Sequence, residues 1–512
     1  FDLVGDIHAD EFAKTPPLCL FEPKGELDLI IFGQLSLDFG FFSFTERLDI
    51  ADVKLIDFST GCDSSPHYNV QDTEPDPVLA AKLAEEGIIE RVGTTSNDNI
   101  VVKHIGDGAK GENLRVTGLD PDPGKDYNDV KLIVIKGREG NDIIDLSDVR
   151  STAGQISGGA GNDTIIGGAG NDFLMGGAGN NSLDGRGGNN TVDYSAAPTN
   201  VFVNLNTGVA VKNGYGGVDT LVNIQNAVGS KYNDTLIASD TAGAVLQGGE
   251  GDDTLLGGQK DDVLIPGTGK NYLDGGGGTN TVSYLTAPGP ISVNLSSLNV
   301  GDSVPVIAPT DASVIYLAAN SAVGGYGVVD DTIKNVQNLQ GSAYDDILVA
   351  GDAALIGTYK SKNGYSYTGS YIDGYFGNDL IYAGAGSDVL DGGAGINWLS
   401  YALSTAAVNV NLTPGTTQSG GYAAGDKILA AKNEYVDNKG VDTNFSSFQN
   451  LEGSAYDDTL RGDSGDNIIR GGAGNSRWRH PQSAVSLQVA AKCTFSAAKS
   501  CGWVQVLNLV WC

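Results

Sequence analysis

A nine-residue period in the middle of the chain constrains the fold more than any other feature. From Gly158 the sequence reads GGAGNDTII, GGAGNDFLM, GGAGNNSLD and GRGGNNTVD, ending at Asp193. A second block runs from Gly248 to Ser283 and a third from Gly374 to Ser400. Within a unit, positions 1, 2 and 4 are usually Gly, position 6 is Asp or Asn, and position 8 is a large aliphatic residue.

This pattern predicts a solenoid with two walls. Glycine supplies the positive φ angles of a tight turn, and a short strand with one apolar member can point that member inward. Two units then complete one coil, so turns on one edge are 18 residues apart and Asp163 should neighbour Asn181, as Asp172 should neighbour Asn190. The predicted core consists of position-8 residues, among them Ile165, Leu174, Leu183, Val192, Leu255 and Leu264. We therefore predict an all-β fold of tandem parallel β-rolls, a β-solenoid, with β-rich spacers and a small N-terminal region.

The spacers between the blocks repeat as well. Each contains a strand-like run, VFVNL, ISVNL or VNVNL, followed by a Gln-Asn phrase and a weaker nonapeptide. The glycines that open the weaker units, Gly229, Gly341 and Gly453, are 112 residues apart both times. The predicted organisation is an N-terminal region 1–130 of unknown function, modules 131–228 (roll 158–193), 229–340 (roll 248–283) and 341–452 (roll 374–400), a truncated block 453–475 and an atypical tail 476–512. A short helix is expected within Val78–Val92.

Charge narrows the choice of partner. Lys and Arg number 31 against 63 Asp and Glu, a formal charge of -32, which repels phosphate backbones and excludes nucleic acid as a natural partner. No apolar run is long enough for a transmembrane segment. Carboxylates stacked along a turn edge repel one another unless neutralised, and glycine turns expose carbonyl oxygens beside them. That hard oxygen set suits Ca²⁺ rather than zinc or Mg²⁺, although Asx-Gly turns can also hold a solenoid without metal.

The units resemble the GGxGxDxUx nonapeptide of RTX, or haemolysin-type, calcium-binding repeat proteins, over about residues 137–475. The resemblance implies a parallel β-roll that holds several Ca²⁺ ions between turns through position-6 aspartates and turn carbonyls. It also implies a secreted, extracellular or cell-surface bacterial protein, exported by a type I secretion apparatus and folding outside, where calcium is available.

The predicted metal ligands are the position-6 residues together with turn residues of the first units of each block. They are Asp142, Gly158, Ala160, Asp163, Gly167, Ala169, Asp172, Asn181, Asn190, Gly248, Glu250, Asp253, Gly257, Asp262, Asn271, Asp379 and Asp388. Each block starts with Asp at position 6 and ends with Asn, which predicts a neutral last turn. In the weaker units, Asp234, Asp346 and Asp458 fit capping or packing as well as ligation.

Two classes of function remain open. No nucleophile, base and oxyanion donor can be nominated together, so we expect a non-enzymatic protein whose repeats serve as a spacer or adhesive scaffold, with polysaccharide or a cell surface as a possible partner. The alternative is the C-terminal accessory region of an extracellular enzyme, such as a polysaccharide epimerase, lipase or protease, with its catalytic domain upstream. The chain opens on Phe1, which suggests a piece of something longer. Residues 476–512 contain no acid and suggest a frameshifted tail without packing partners.

Overall fold

The computed structural model describes residues 83, 85–118, 124–297, 317–351, 368–416, 418–430 and 446–479, and a few short strands elsewhere. The chain divides into two units, Phe1–Gln71 and Asp72–Cys512. In the first unit the described residues form one antiparallel pair, Leu37–Asp38 with Ser43–Phe44. All features below belong to the second unit.

One wall of the second unit is a 13-stranded sheet, the first sheet, in which successive strands pair in parallel. Most of its strands are short, because each nonapeptide contributes a brief extended segment between two glycine turns. In spatial order they are Ile88–Val92, Leu132–Glu139, Ala153–Ala160, Phe173–Ala178, Thr191–Asp193, Asn226–Val228, Val245–Glu250, Val263–Thr268, Thr281–Ser283, Asn338–Gln340, Tyr371–Asp373, Val389–Asp391 and Lys427–Ile428.

The opposite wall, the second sheet, is parallel within the blocks and interrupted by antiparallel strands from the spacers. In order of pairing its strands are Lys125–Val130, Glu112–Thr117, Asn99–Asp107, Ile143–Asp145, Thr164–Ile166, Ser182–Asp184, Asp219–Val222, Val209–Lys212, Phe202–Asn204, Thr235–Ile237, Thr254–Leu256, Tyr272–Asp274, Val329–Lys334, Ser321–Gly324, Ile291–Asn294, Ile347–Val349, Leu380–Tyr382, Trp398–Ser400, Asn450–Glu452 and Ile468–Arg470.

Smaller elements complete the described structure. A three-stranded parallel sheet joins Asn409–Asn411, Thr459–Arg461 and Arg477–Arg479. Two antiparallel pairs join Val306–Ile307 to Val314–Ile315, and Tyr359–Lys360 to Ser366–Tyr367. Single turns of 3-10 helix lie at Gly325–Gly327 and Gly421–Ala423. The runs VFVNL, ISVNL and VNVNL all contain a strand, as predicted.

The register confirms the predicted coil of two units. Ile165 pairs with Leu183 in the second sheet, and Leu174 pairs with Val192 in the first. The predicted core is confirmed, because all six position-8 residues named above are fully buried between the walls. Each buried aliphatic side chain of this kind contributes roughly 1.5–3 kcal/mol relative to an exposed one. The all-β fold with long parallel sheets is therefore the predicted β-roll.

The structure differs from the sequence predictions at both ends of the roll. In the span predicted to contain a short helix, Leu83 and Glu85 are helical. Ile88–Val92 is a strand, because it pairs in parallel with Leu132–Glu139, and this pairing overrides the local amphipathic pattern. At the other end, Arg477–Arg479 pairs in register with Thr459–Arg461. The expectation that the tail has no packing partners is therefore wrong for its first described residues.

Candidate metal centre

The position-6 side chains form a ladder along each edge of the roll. The backbone N–H of Asp142 donates to Asp163 Oδ1 at 2.8 Å, and the N–H of Asp163 donates to Asn181 Oδ1 at 2.9 Å. On the opposite edge the N–H of Asp172 donates to Asn190 Oδ1 at 2.9 Å. Both predicted neighbour pairs are confirmed. Backbone donors link these side chains, and no group of three or more His, Cys, Asp or Glu converges within the described residues.

A second ladder runs beside the first at position 5, in the opposite direction. The N–H of Asn162 donates to Asn141 Oδ1, and the N–H of Asn180 donates to Asn162 Oδ1, both at 2.7 Å. The same bond joins Lys270 to Asp252 in the second block. These bonds need no metal, so part of the stack holds in its absence. In the sequence this ladder is marked only by Asn or Asp at position 5, and these residues are also common in turns that form no ladder.

The turns fall into two types, which the φ angle at position 2 separates. In the open turns, 137–142, 158–163, 248–253 and 374–379, position 2 has a positive φ, as at Gly159 (101°) and Gly249 (107°). In the closed turns, 167–172, 257–262 and 383–388, the position-2 glycine does not have a positive φ. There its N–H donates to the Oδ2 atom of the position-6 Asp, at 2.8 Å for Gly168 and Asp172.

The position-6 carboxylates of the open turns have an oxygen without a hydrogen-bond partner. These residues are at most 1% exposed, yet their Oδ2 atoms are buried and unpartnered: Asp142, Asp163, Asp253 and Asp379. Buried polar atoms are almost always hydrogen-bonded, so four equivalent exceptions on equivalent turns indicate a missing positive partner.

Backbone carbonyls approach the same positions. A side chain at Gly248 would meet Asp253 Oδ2 and the carbonyl oxygen of Pro266, from the next coil. A side chain at Gly374 would likewise meet Asp379 Oδ2 and the carbonyl oxygen of Gly392. Glycine at position 1 therefore lets a carboxylate oxygen and a carbonyl oxygen approach one another.

In the neutral last turns, position 6 is Asn, and its Nδ2 group lies where a second carboxylate oxygen of Asp would face the backbone carbonyls. Asn280 Nδ2 donates to the carbonyls of Gly277 (3.1 Å) and Asn335 (2.9 Å). Asn190 Nδ2 donates to the carbonyls of Gly187 (3.0 Å) and Asn223 (2.9 Å). With an ionised Asp, no hydrogen lies between the oxygens, and a cation that prefers oxygen ligands can take that place. The open turns thus fit Ca²⁺ by the chemistry of their donors.

Burial raises the pKa of these carboxyls. The pKa of Asp163 rises to about 6, through desolvation and then through the charges of Asp142 and Asp219. The pKa of Asp253 rises to about 8, again through desolvation first and then through nearby carboxylates, Asp234 foremost. Burial and the charge of Asp346 hold the pKa of Asp379 well above its usual range. In each case the charged form lacks compensation, which a bound cation would supply.

The remaining predicted ligands are already engaged in backbone contacts. The carbonyl of Ala160 accepts the N–H of Gly140, Ala169 N–H donates to Val149, and Glu250 pairs with Thr268 inside the first sheet. Their roles as ligands stay predictions, as do those of the position-6 Asn residues. Capping applies in the weaker units, because Ser342 N–H donates to Asp346 Oδ2 at 2.6 Å and Ser454 N–H donates to Asp458 Oδ2 at 2.7 Å.

Sequence reasoning missed the residues that continue the ladders beyond each block. The Gln of each Gln-Asn phrase accepts the N–H of the last position-6 Asn, at 2.7–2.8 Å, in the pairs Gln225–Asn190, Gln337–Asn280 and Gln449–Asn397. A further unit at 93–101 was also missed, because it lacks most glycines. Its Asp98 donates its N–H to Asp142 Oδ1 at 2.8 Å, so the ladder begins before residue 130.

Comparison with known proteins agrees with this geometry. The family of RTX calcium-binding nonapeptide repeats matches four segments, residues 156–193, 247–282, 369–399 and 448–477. The chain thus carries RTX calcium-binding repeats, and the resemblance is confirmed. None of the curated proteins matches the chain. Among the described residues, no helix has the length and apolar character needed to cross a membrane.

Proposed function

We propose that the chain is a secreted or cell-surface bacterial protein in which the open turns bind Ca²⁺, and that calcium drives its folding after export. The observation that carries this proposal is the buried, unpartnered Oδ2 atom of Asp163, Asp253 and Asp379 on glycine turns of the repeat segments. When bound, calcium supplies the positive charge that these carboxylates lack.

The residues that would hold the cation are those of the open turns. Asp253 provides the carboxylate and Pro266 the carbonyl in the second block, and Asp379 and Gly392 do so in the third. Any ligand that binds the folded chain and not the unfolded one stabilises the fold by an amount that grows with the logarithm of its concentration above Kd. Calcium is scarce inside cells and abundant outside, so the same sequence is at most partly folded during export and completes its fold afterwards.

The localisation and role follow from this linkage. We propose export through a type I secretion apparatus, because that route suits a chain that completes its fold only outside. We propose a non-enzymatic role for the repeats, as an acidic scaffold at or beyond the cell surface. The formal charge of -32 supports surroundings that are rich in cations, because an acidic chain repels anionic polymers.

Circular dichroism of the full chain tests the proposal. Far-ultraviolet spectra are recorded in a calcium-free buffer with chelator, and again after addition of millimolar Ca²⁺, with equal Mg²⁺ as the control. The strand signal should grow with Ca²⁺ and not with Mg²⁺, because Mg²⁺ resists the loss of its water shell. A strand signal already complete in chelator would contradict the proposal.

A further inference from the structure

Each block ends at a buried tyrosine bonded to a distant aspartate. Tyr194, Tyr284 and Tyr401 directly follow the last strand of the three blocks, where a glycine would open the next unit. All three are at most 2% exposed. Their hydroxyls donate to the Oδ2 atoms of three buried aspartates in the pairs Tyr194–Asp219 (3.0 Å), Tyr284–Asp331 (2.8 Å) and Tyr401–Asp426 (2.8 Å). We call these pairs the tyrosine joints.

The aspartates of the joints occupy position 6 of the next coil. Asp219 Oδ1 accepts the N–H of Asn181 at 2.9 Å, as Asp163 Oδ1 accepts the N–H of Asp142. The residue after Asp219, Thr220, pairs with Ser182 in the second sheet. Asp219 and Asp331 are therefore equivalents of the open-turn aspartates, although they lie outside the glycine motif. Asp426 differs, because its Oδ1 accepts the N–H of Asp388 and so continues a closed-turn ladder.

The two sets differ in what faces Oδ2. In the open turns nothing donates to Oδ2 of Asp163 or Asp253. In the joints a phenol hydroxyl donates to it, and amide groups saturate Oδ1. Asn213 Nδ2 donates to Asp219 Oδ1 at 3.0 Å, and Asn271 Nδ2 donates to Asp331 Oδ1 at 2.8 Å.

We propose that the hydroxyls of Tyr194 and Tyr284 take the place of the cation at their joints and thereby determine which turns bind calcium. This inference rests on the proposed calcium function of the open turns. Calcium then loads the interior of each block, while the borders between modules are held without metal. The Tyr and Asp of each joint are 25, 47 and 25 residues apart in the sequence. Each joint therefore holds together the two ends of a spacer segment, whatever its length.

Calcium stoichiometry of the full chain, measured by equilibrium dialysis and calorimetry, tests the assignment. Asp253→Asn should bind fewer ions than the native chain, whereas Asp331→Asn should bind the same number, because Tyr284 and not calcium faces that carboxylate. A loss of bound calcium in Asp331→Asn equal to that in Asp253→Asn would overturn the inference.

Removal of the hydroxyls provides the converse test. The double variant Tyr194→Phe and Tyr284→Phe should bind up to two additional ions per chain, or else lose in chelator the partial fold that the native chain retains and regain it with calcium. Tyr215→Phe is the matched control, because that hydroxyl donates to the carbonyl of Ala196 outside the ladders. A double variant that keeps the native degree of folding in chelator, with unchanged stoichiometry, contradicts the inference.

The same variants separate this inference from the proposed function. If the native chain binds no calcium, the proposed function fails. The joints remain measurable in chelator, where Tyr284→Phe should lower the thermal midpoint and Tyr215→Phe should not. Equal midpoints for these two variants would show that the joint is not a metal-free support.

Discussion

Asp253→Asn should stabilise the fold without calcium, and calcium should cancel much of that gain. Without the cation, the folded chain keeps the Asp253 carboxyl protonated, because burial raises its pKa from 3.8 to about 8. The unfolded chain ionises the same group at neutral pH, so folding must take up a proton. At pH 7 this uptake over about three pH units costs ~4 kcal/mol, which is the ceiling of what the substitution can recover.

Asn at position 253 removes that cost and keeps the ladder. Its Oδ1 can accept the N–H of Asp234, as Asp253 Oδ1 does at 2.8 Å, and its Nδ2 can face the Pro266 carbonyl, as Asn280 faces its own carbonyls. Part of this free energy is offset when the Asn side chain is immobilised, so we expect the free energy of unfolding in chelator to rise by about 1–3 kcal/mol. In calcium the variant should lose about tenfold in affinity at this turn, or ~1.4 kcal/mol.

The assay is chemical denaturation followed by circular dichroism, in chelator and in millimolar Ca²⁺. Asp262→Asn is the matched control in the same block, because its two oxygens accept the N–H groups of Ala244 and Gly258, each at 2.7 Å. An amide cannot accept both, so Asp262→Asn should lose about 1–3 kcal/mol in chelator. A loss in chelator for Asp253→Asn of the same size as for Asp262→Asn would refute the reasoning.

Further predictions concern pH, the neutral turns and the core. The pKa values of Asp163 and Asp172 are raised from 3.8 to about 6, so the folded chain binds more protons than the unfolded one between these values. Calcium-free stability should therefore fall as pH rises from about 4 to about 6, and an opposite trend in denaturation midpoints would contradict this. In calorimetry, Asp163→Ala should lose more calcium affinity than Asn181→Ala, since the amide brings no charge, and equal losses would make the amide a full ligand. Leu264→Ala should cost about 2–5 kcal/mol with and without calcium, because Leu264 is fully buried between the walls, and a cost confined to one condition would show that the core forms only there.

The repeated part of the fold follows from the sequence because its period is strict. Residues such as Ile165 and Leu174 recur at position 8 between glycine turns, and only a coil of two units buries them all. The spacers were less predictable. Gln337 and Asp331 belong to the ladders, but their partners, Asn280 and Tyr284, lie 57 and 47 residues away across chain segments of different length. No local pattern specifies such pairings.

The distinction between open and closed turns was also beyond the sequence. Asp163 and Asp172 lie in units that share the letters GGAGND, yet the backbone at Gly159 has a positive φ and the backbone at Gly168 does not. In the first block the difference follows the strands, because Ala153–Ala160 extends through its turn glycines to pair with the next coil, whereas Thr164–Ile166 ends before them. In the third block the open turn 374–379 follows a strand, Tyr371–Asp373, that also ends before its glycine, so strand length alone does not separate the two types of turn.

The most direct test of calcium binding at the open turns compares two triple variants by equilibrium dialysis of the full chain. One carries Asp163→Asn, Asp253→Asn and Asp379→Asn in the open turns, and the other carries Asp172→Asn, Asp262→Asn and Asp388→Asn in the closed turns. The open-turn variant should lose most of the bound calcium, and the closed-turn variant should retain it when folded. Equal losses in the two variants, or a larger loss in the closed-turn variant, would contradict the assignment of calcium to the open turns.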